Sequence, residues 1–251
     1  MTNPKATAHE PFSVPPLALC PNAKTAVHCE QCRVRSLSLC GALETDELTA
    51  LDRLSRPLIL SARDTIFEQD ELSVSVFNIT AGSARLYRLL PDGRRQIVGF
   101  ALPGDFLGLA MSEHNAFSAD ALTALTACQF SRAQFSDFLD AKPHLLRKLH
   151  TMAGHELSLA QEQMVILGRR TAEEKVAAFL IGLRKRWARL STASVTIPLP
   201  MTRQDIGDFL GLTVETVSRM LTRLAREKAI LIVPDGVRLL DVKRIEAMAE
   251  S

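Results

Sequence analysis

The spacing of hydrophobic positions changes several times along the chain. Up to about Cys40, proline, polar residues and cysteine follow one another with no sustained apolar period, so something other than a hydrophobic core is expected to order that stretch. Leu48, Leu51 and Leu54 then share one face, which predicts a short helix over Glu44–Leu54. From Arg56 to about Ser131 short apolar or alternating segments are cut by turns. The predicted strands are Pro57–Leu60, Thr65–Phe67, Val74–Ile79, Ala84–Leu90, Gln96–Ala101, Leu122–Leu125 and Cys128–Phe130. Pro91-Asp92-Gly93 is a hairpin signal, and Ala81-Gly82 and Pro103-Gly104 mark further turns. Many short strands at roughly regular spacing indicate a small β-barrel or jelly roll.

After Pro143 the period becomes helical. Leu146, Leu149, Ala153, Leu157, Ala160, Met164 and Leu167 recur at steps of three or four, a nearly heptad stripe. Such a stripe either packs on its own domain or meets a second copy of itself. The second reading is favoured, because a long helix leaving a β-barrel has little of its own domain to lie against. Gly168 is expected to end the helix, with Arg169 and Arg170 suited to the negative end of its dipole. Thr171-Ala172-Glu173-Glu174 reads as a capping box opening another helix toward Trp187, and a β-leaning segment follows at Val195–Leu199.

Thr202 with Asp205 three residues on starts a further helix, whose buried face is Ile206, Phe209 and Leu210. Gly211-Leu212-Thr213 breaks it, and Val214 to about Lys228 is helical again. In this second helix Val217, Met220, Leu221 and Leu224 face inward, while Glu215, Ser218, Arg219, Thr222, Arg223 and Arg226 lie on the other side. Two short helices about a Gly-containing turn, the second with a polar and basic outer face, describe a helix-turn-helix with its recognition helix. Ile230–Val233, a turn at Pro234-Asp235-Gly236 and Val237–Leu240 add a wing. The bland alternative, a helical hairpin with a solvated face, leaves the wing and the basic face unexplained.

Charge sharpens this picture. The net charge is only +2, but residues 169–251 carry 15 Lys/Arg against 10 Asp/Glu, whereas residues 1–168 carry 15 against 18. A basic C-terminal third suits a phosphate-binding module attached to something else. The 251 residues suffice for two domains with their own cores, no apolar run is long enough to span a membrane, and no secretory signal is apparent, so a cytoplasmic protein is expected. No Ser/His/Asp set, carboxylate pair or phosphate loop stands in a catalytic context, so an enzyme is not expected.

Five cysteines in such a chain should be thiols or metal ligands rather than disulfides. Cys20, Cys29, Cys32 and Cys40 fall within 21 residues, and Cys128 stands alone. Cys29, Cys32 and Cys40 on a segment without a core could supply three corners of a metal site, with a fourth ligand arriving from the barrel. Spacing alone does not decide between zinc and an iron–sulfur cluster. Cys20 reads as a spare thiol, His28 as an exposed neighbour, and Cys128 by itself as a small buried residue.

Gly211-Leu212-Thr213-Val214-Glu215-Thr216-Val217-Ser218-Arg219 resembles the recognition segment of the fumarate and nitrate reductase regulator (FNR) branch of the cyclic-AMP receptor protein (CRP) superfamily. The resemblance covers nearly all of the chain after Cys29. It implies an α+β architecture: a cysteine-rich segment over residues 1–45, a β-roll sensor domain of cyclic-nucleotide-binding type over 46–142, a dimerisation helix over 143–169 and a winged helix-turn-helix over 170–251. It implies that Glu215, Ser218 and Arg219 read a TTGAT-like half-site of an inverted repeat in double-stranded DNA. Arg can take both major-groove acceptors of guanine, Glu accepts from an amino group, and Ser bonds to either kind of edge. Thr213 and Arg223 are further DNA-facing candidates. Leu149, Ala153, Leu157, Ala160 and Met164 would form the homodimer interface, and RNA polymerase would be a partner.

The resemblance further implies an oxygen-labile 4Fe-4S cluster on Cys29, Cys32, Cys40 and Cys128, in a spacing similar to that of α-proteobacterial members. Oxygen would degrade the cluster, weaken helix pairing and lower operator affinity. Where the family has an acidic residue on the dimer helix this chain has Ala160, leaving Glu156 one turn earlier for that repulsion. Relatives that bind cyclic AMP hold its phosphate with an Arg-Ser pair; Ala116-Phe117-Ser118-Ala119-Asp120 has no arginine, so cyclic AMP is not expected. The alternative is the same fold sensing another signal, through zinc or thiol redox, haem or a small ligand.

Overall fold

The structure, a computed structural model, describes residues 29, 31–109, 112–190 and 196–250. Helix α1 (Thr45–Leu54) is opened by a reciprocal cap between Glu44 and Glu47 and buries Leu48 and Leu51. It runs straight into β1 (Ser55–Leu60). The roll continues through β2 (Thr65–Phe67), β3 (Ser75–Ala81), β4 (Ala84–Leu89), β5 (Arg95–Ala101), β6 (Phe106–Leu107), β7 (Ser118–Ala121) and β8 (Leu125–Ser131). Two antiparallel sheets form, ordered β1-β8-β3-β6 and β2-β7-β4-β5. Their apolar faces meet over Phe77, Ile79, Leu107, Ala119, Leu125 and Ala127.

The expected strand at Leu122–Leu125 is corrected: the chain turns over residues 122–124, between β7 and β8, and Leu125 already opens β8. β7 reads Ser-Ala-Asp-Ala, with Ala119 and Ala121 inside the roll. Alanine is too weak a hydrophobe to make that alternation visible. The short helix α2 (Arg132–Asp140) and the C-terminal helix α7 (Val242–Glu250) were likewise not anticipated.

A second correction concerns the cysteine-rich segment. Two short 3-10 turns, Arg35–Leu37 and Leu39–Ala42, bury Leu39, Cys40 and Leu43 against Leu48, Leu51, Val76, Phe130 and Phe135, and Val34 before them is buried as well. Described residues of this segment therefore share a hydrophobic core with the outside of the roll. Their irregular spacing hides it, because 3-10 turns and distant partners impose no period on the local sequence.

Helix α3 (Pro143–Arg169) begins with proline in its first turn, where the missing N–H costs nothing. Gly168 lies inside its last turn, and Arg170, in extended conformation, ends it. The apolar stripe divides. Leu149, with Leu145 and Met152 beside it, leans on the core beneath the roll, whereas Leu146, Ala153, Leu157, Ala160, Met164 and Leu167 face solvent, Leu157 at 60% and Met164 at 66% exposure.

Helix α4 (Ala172–Leu190) starts at the predicted Thr171–Glu174 box. Then come β9 (Thr196–Pro198), α5 (Arg203–Leu210), α6 (Val214–Arg226), β10 (Ile230–Val233) and β11 (Gly236–Leu239). The wing is three-stranded, ordered β10-β11-β9. The roll touches this module through the β4–β5 hairpin: Phe100 lies against Phe179 and Phe209 at centroid distances of 6.1 and 5.3 Å. No helix among the described residues is long and apolar enough to cross a membrane.

Candidate metal centre and nucleic-acid interface

The structure brings Cys29, Cys32, Cys40 and Cys128 to one cavity of about 360 Å3, counting space that opens to solvent. Local folding explains the first three. The N–H of Cys32 donates to the Cys29 carbonyl at 3.3 Å, closing a turn between them. Buried Val34 and Leu39 anchor the next residues, and Ser38 caps the second 3-10 turn by accepting from the Cys40 N–H at 3.3 Å. Arg35 ties the turn shut on the Leu43 carbonyl at 3.0 Å.

Strand register supplies the fourth. On β8, Leu125 and Ala127 point into the roll, so Cys128 and Phe130 point out toward the cysteine-rich segment. Cys128 is flanked in the sheet by Pro57 on β1 and Asn78 on β3. Asn78 therefore shares its face and joins the cavity wall with Leu48, Leu51, Asp52, Ser55 and Phe130.

Burial pushes the Cys29 thiol far above its ordinary range, and Asp52, accepting from the Cys29 S–H at 2.9 Å, adds to the shift. Burial also raises Cys40, partly offset by Ser38. Asn78 is 2% exposed; its Nδ2 donates to Cys40 Sγ at 3.9 Å, and its Oδ1 has no partner among the described residues. Four thiols on one largely apolar wall, with a buried amide donor on one of them, fit a soft, sulfur-liganded group. Among the described residues no three His, Cys, Asp or Glu side chains converge tightly enough to hold a single ion. Cys20 and His28 lie outside the described residues.

In the C-terminal module, Thr202 and Asp205 form the predicted reciprocal cap of α5. Gly211 ends α5 in the left-handed region at φ 63°, where glycine carries no Cβ penalty. Gly207 is a requirement the sequence did not announce: a Cβ there would stand 2.6 Å from the Leu212 carbonyl, so the helix-turn-helix closes only with glycine. Thr213 caps α6, accepting from the Thr216 N–H at 3.2 Å. Val217, Leu221 and Leu224 are buried, which turns Glu215, Ser218 and Arg219 outward.

The five predicted DNA-facing residues are thus not equivalent. Arg219 rests on Thr216 Oγ1 at 3.4 Å on the open face. Thr213 spends its oxygen on the cap, and Arg223 is held by Glu227 and Glu173, each at 2.9 Å. Sequence reasoning missed Asn78 and Asp52 at the cavity and Arg85 and Arg95 between the domains. No local signal marks any of them; their roles arise from strand register and domain contact.

Comparison with known proteins gives the following. A model of the cyclic nucleotide-binding domain matches residues 58–142, and one described as bacterial regulatory proteins, crp family, matches residues 199–230. The transcriptional activatory protein AadR of Rhodopseudomonas palustris is 51% identical, over 93% of this chain and 97% of that protein. The nitrogen fixation regulation protein FixK of Bradyrhizobium diazoefficiens is 52% identical, over 88% and 93% respectively. The solved structure of FixK2 from Bradyrhizobium japonicum superposes with a TM-score of 0.72 at 33% identity, covering 77% of this chain and 96% of that one.

Proposed function

We propose, for a chain that belongs to the CRP/FNR family of bacterial transcription regulators, that it is an oxygen-responsive activator of transcription loaded with a 4Fe-4S cluster. Cys29, Cys32, Cys40 and Cys128 hold the cluster. The observation that carries this reading is the cavity where thiols of a short N-terminal segment meet one thiol from the middle of β8. Tetrahedral zinc, with bonds of about 2.3 Å, needs its sulfurs within roughly 4 Å of one another. A polynuclear iron–sulfur group takes thiolates set further apart, and the resemblance of the cysteine spacing to that of FNR-type regulators favours it here. When bound, that group supplies oxygen-sensitive one-electron chemistry.

The protein's own residues do the rest. Cys128 clips the N-terminal segment to the roll directly beside α3, because Leu145, Leu149 and Met152 pack on the same core as Cys29, Cys40 and Cys128. Loading this site therefore stabilises the surface from which α3 projects, and α3 presents Leu157 and Met164 to a second copy. The dimer offers two α6 helices, each reading one half of an inverted repeat with Glu215, Ser218 and Arg219. The names of AadR and of the activator-type relatives support activation, and with it contact to RNA polymerase. Cyclic AMP is not expected as the signal, because Ala116-Phe117-Ser118-Ala119-Asp120 offers no arginine for its phosphate.

The test is anaerobic reconstitution, then iron and sulfide analysis and operator binding before and after air. About four iron and four sulfide per subunit, with operator affinity lost in air, is the expected result. One zinc per subunit and air-stable binding would overturn it.

A further inference from the structure

Asn78 is a buried polar side chain in a place that gives it little to do in the cluster-free protein. It is 2% exposed, sits in the middle of β3 opposite Cys128, and has one amide atom on the Cys40 sulfur and the other unpartnered. An aliphatic residue of the same shape would fill the space without an open valence. Only Cys40 Sγ, a weak acceptor as a thiol, would lose a partner in that replacement, so it should cost the cluster-free protein little. Its donor, Nδ2, is the atom aimed at Cys40, and a metal-bound thiolate accepts more strongly than a thiol, so that contact reaches full strength only when the thiols are loaded.

We propose that the Asn78 carboxamide is a positioning and tuning residue for the sulfur-liganded group, donating to the Cys40 sulfur and so setting how readily the site gives up an electron. This deepens the cluster reading above and rests on it. A donor at a ligating sulfur withdraws negative charge and favours the more reduced, more negative state of the centre. Removing the donor therefore makes oxidation easier. Asp52 is an acceptor at Cys29 and offers no such donor.

The experiment compares wild type with Asn78→Leu and Asn78→Asp, both close to asparagine in shape. Each is reconstituted anaerobically and measured for iron and sulfide per subunit, midpoint potential and rate of bleaching in air; cluster-free protein is melted thermally. Expected are unchanged iron and sulfide, a lowered potential and bleaching roughly fivefold faster, the equivalent of one hydrogen bond. Cluster-free Asn78→Leu should melt at or above the wild-type temperature, which a merely structural asparagine would not allow. Full loading with unchanged potential and bleaching overturns the role of Asn78 and leaves the cluster reading standing. Variants that fail to load would make Asn78 an assembly residue, overturning the tuning role. A wild type that binds no iron and sulfide overturns the cluster reading itself.

Discussion

Arg85 of the β-roll and Asp205 of the helix-turn-helix form a 3.0 Å ion pair, and the same Asp205 oxygen accepts from Arg95 at 2.8 Å. Asp205 is 1% exposed and also caps α5 through Thr202. Arg85 reaches back to Asp120 on β7 at 2.9 Å, and Arg95 to Asp208 at 2.8 Å. One carboxylate thus closes the first helix of the helix-turn-helix and fixes that module to the β-roll.

Removing this carboxylate leaves two guanidinium groups without their shared partner. Asp205→Ala should lower stability by about 2–4 kcal/mol, below the largest values for buried pairs because both arginines keep some solvent and a second acid. Arg85→Ala should cost less, since Arg95 remains. Urea unfolding of both variants checks the order; a larger loss for Arg85→Ala would deny Asp205 its central place.

The same group predicts a pH dependence. Burial would raise the Asp205 carboxyl, but hydrogen bonds from Thr202 and the charges of Arg85 and Arg95 outweigh it and hold it below its ordinary value. A depressed folded value means the stabilisation is fully present above the unfolded carboxylate range and is lost as pH falls through the folded one. The stability gap between wild type and Asp205→Asn should therefore be constant from neutrality to about pH 5 and shrink below about pH 4. A gap that widens in acid would contradict that sign.

Cys128 tests the link between the N-terminal segment and the roll. Cys128→Ser, reconstituted anaerobically, should hold much less iron and sulfide and bind operator weakly, while Cys20→Ser stays close to wild type. Full loading of Cys128→Ser together with loss in Cys20→Ser would make Cys20 the fourth ligand.

Leu157 tests the pairing surface. Its 60% exposure in a single chain becomes burial if a second α3 covers it. Leu157→Glu would set like charges against each other across the two-fold, at a cost of several kcal/mol unless the helices part. The cluster-loaded variant should sediment as a monomer; a stable dimer would assign pairing to another surface.

Arg219 tests base reading. Arg219→Ala should cost about 1–3 kcal/mol on the specific operator and far less on unrelated DNA. Arg223→Ala should change specificity little, because its head group is already held by Glu173 and Glu227. Equal losses on both DNAs for Arg219→Ala would reassign it to phosphate.

Where chemistry is local, the sequence determined it. The caps at Thr171 and Thr202, the apolar face of Val217, Leu221 and Leu224 and the left-handed Gly211 depend on neighbours within a turn of helix, so their spacing declares them. The cysteine set was legible as residue types and came together at one cavity only through folding. A strand places side chains on alternate faces, and whether Cys128 looked into the roll or out at Cys40 was decided by the register of β8 against β1 and β3. The same register put Asn78 beside it, and the packing of the β4–β5 hairpin on α5 brought Arg85 to Asp205. Those relationships needed the tertiary structure because they join residues far apart in the chain, whose proximity leaves no periodic trace in either segment.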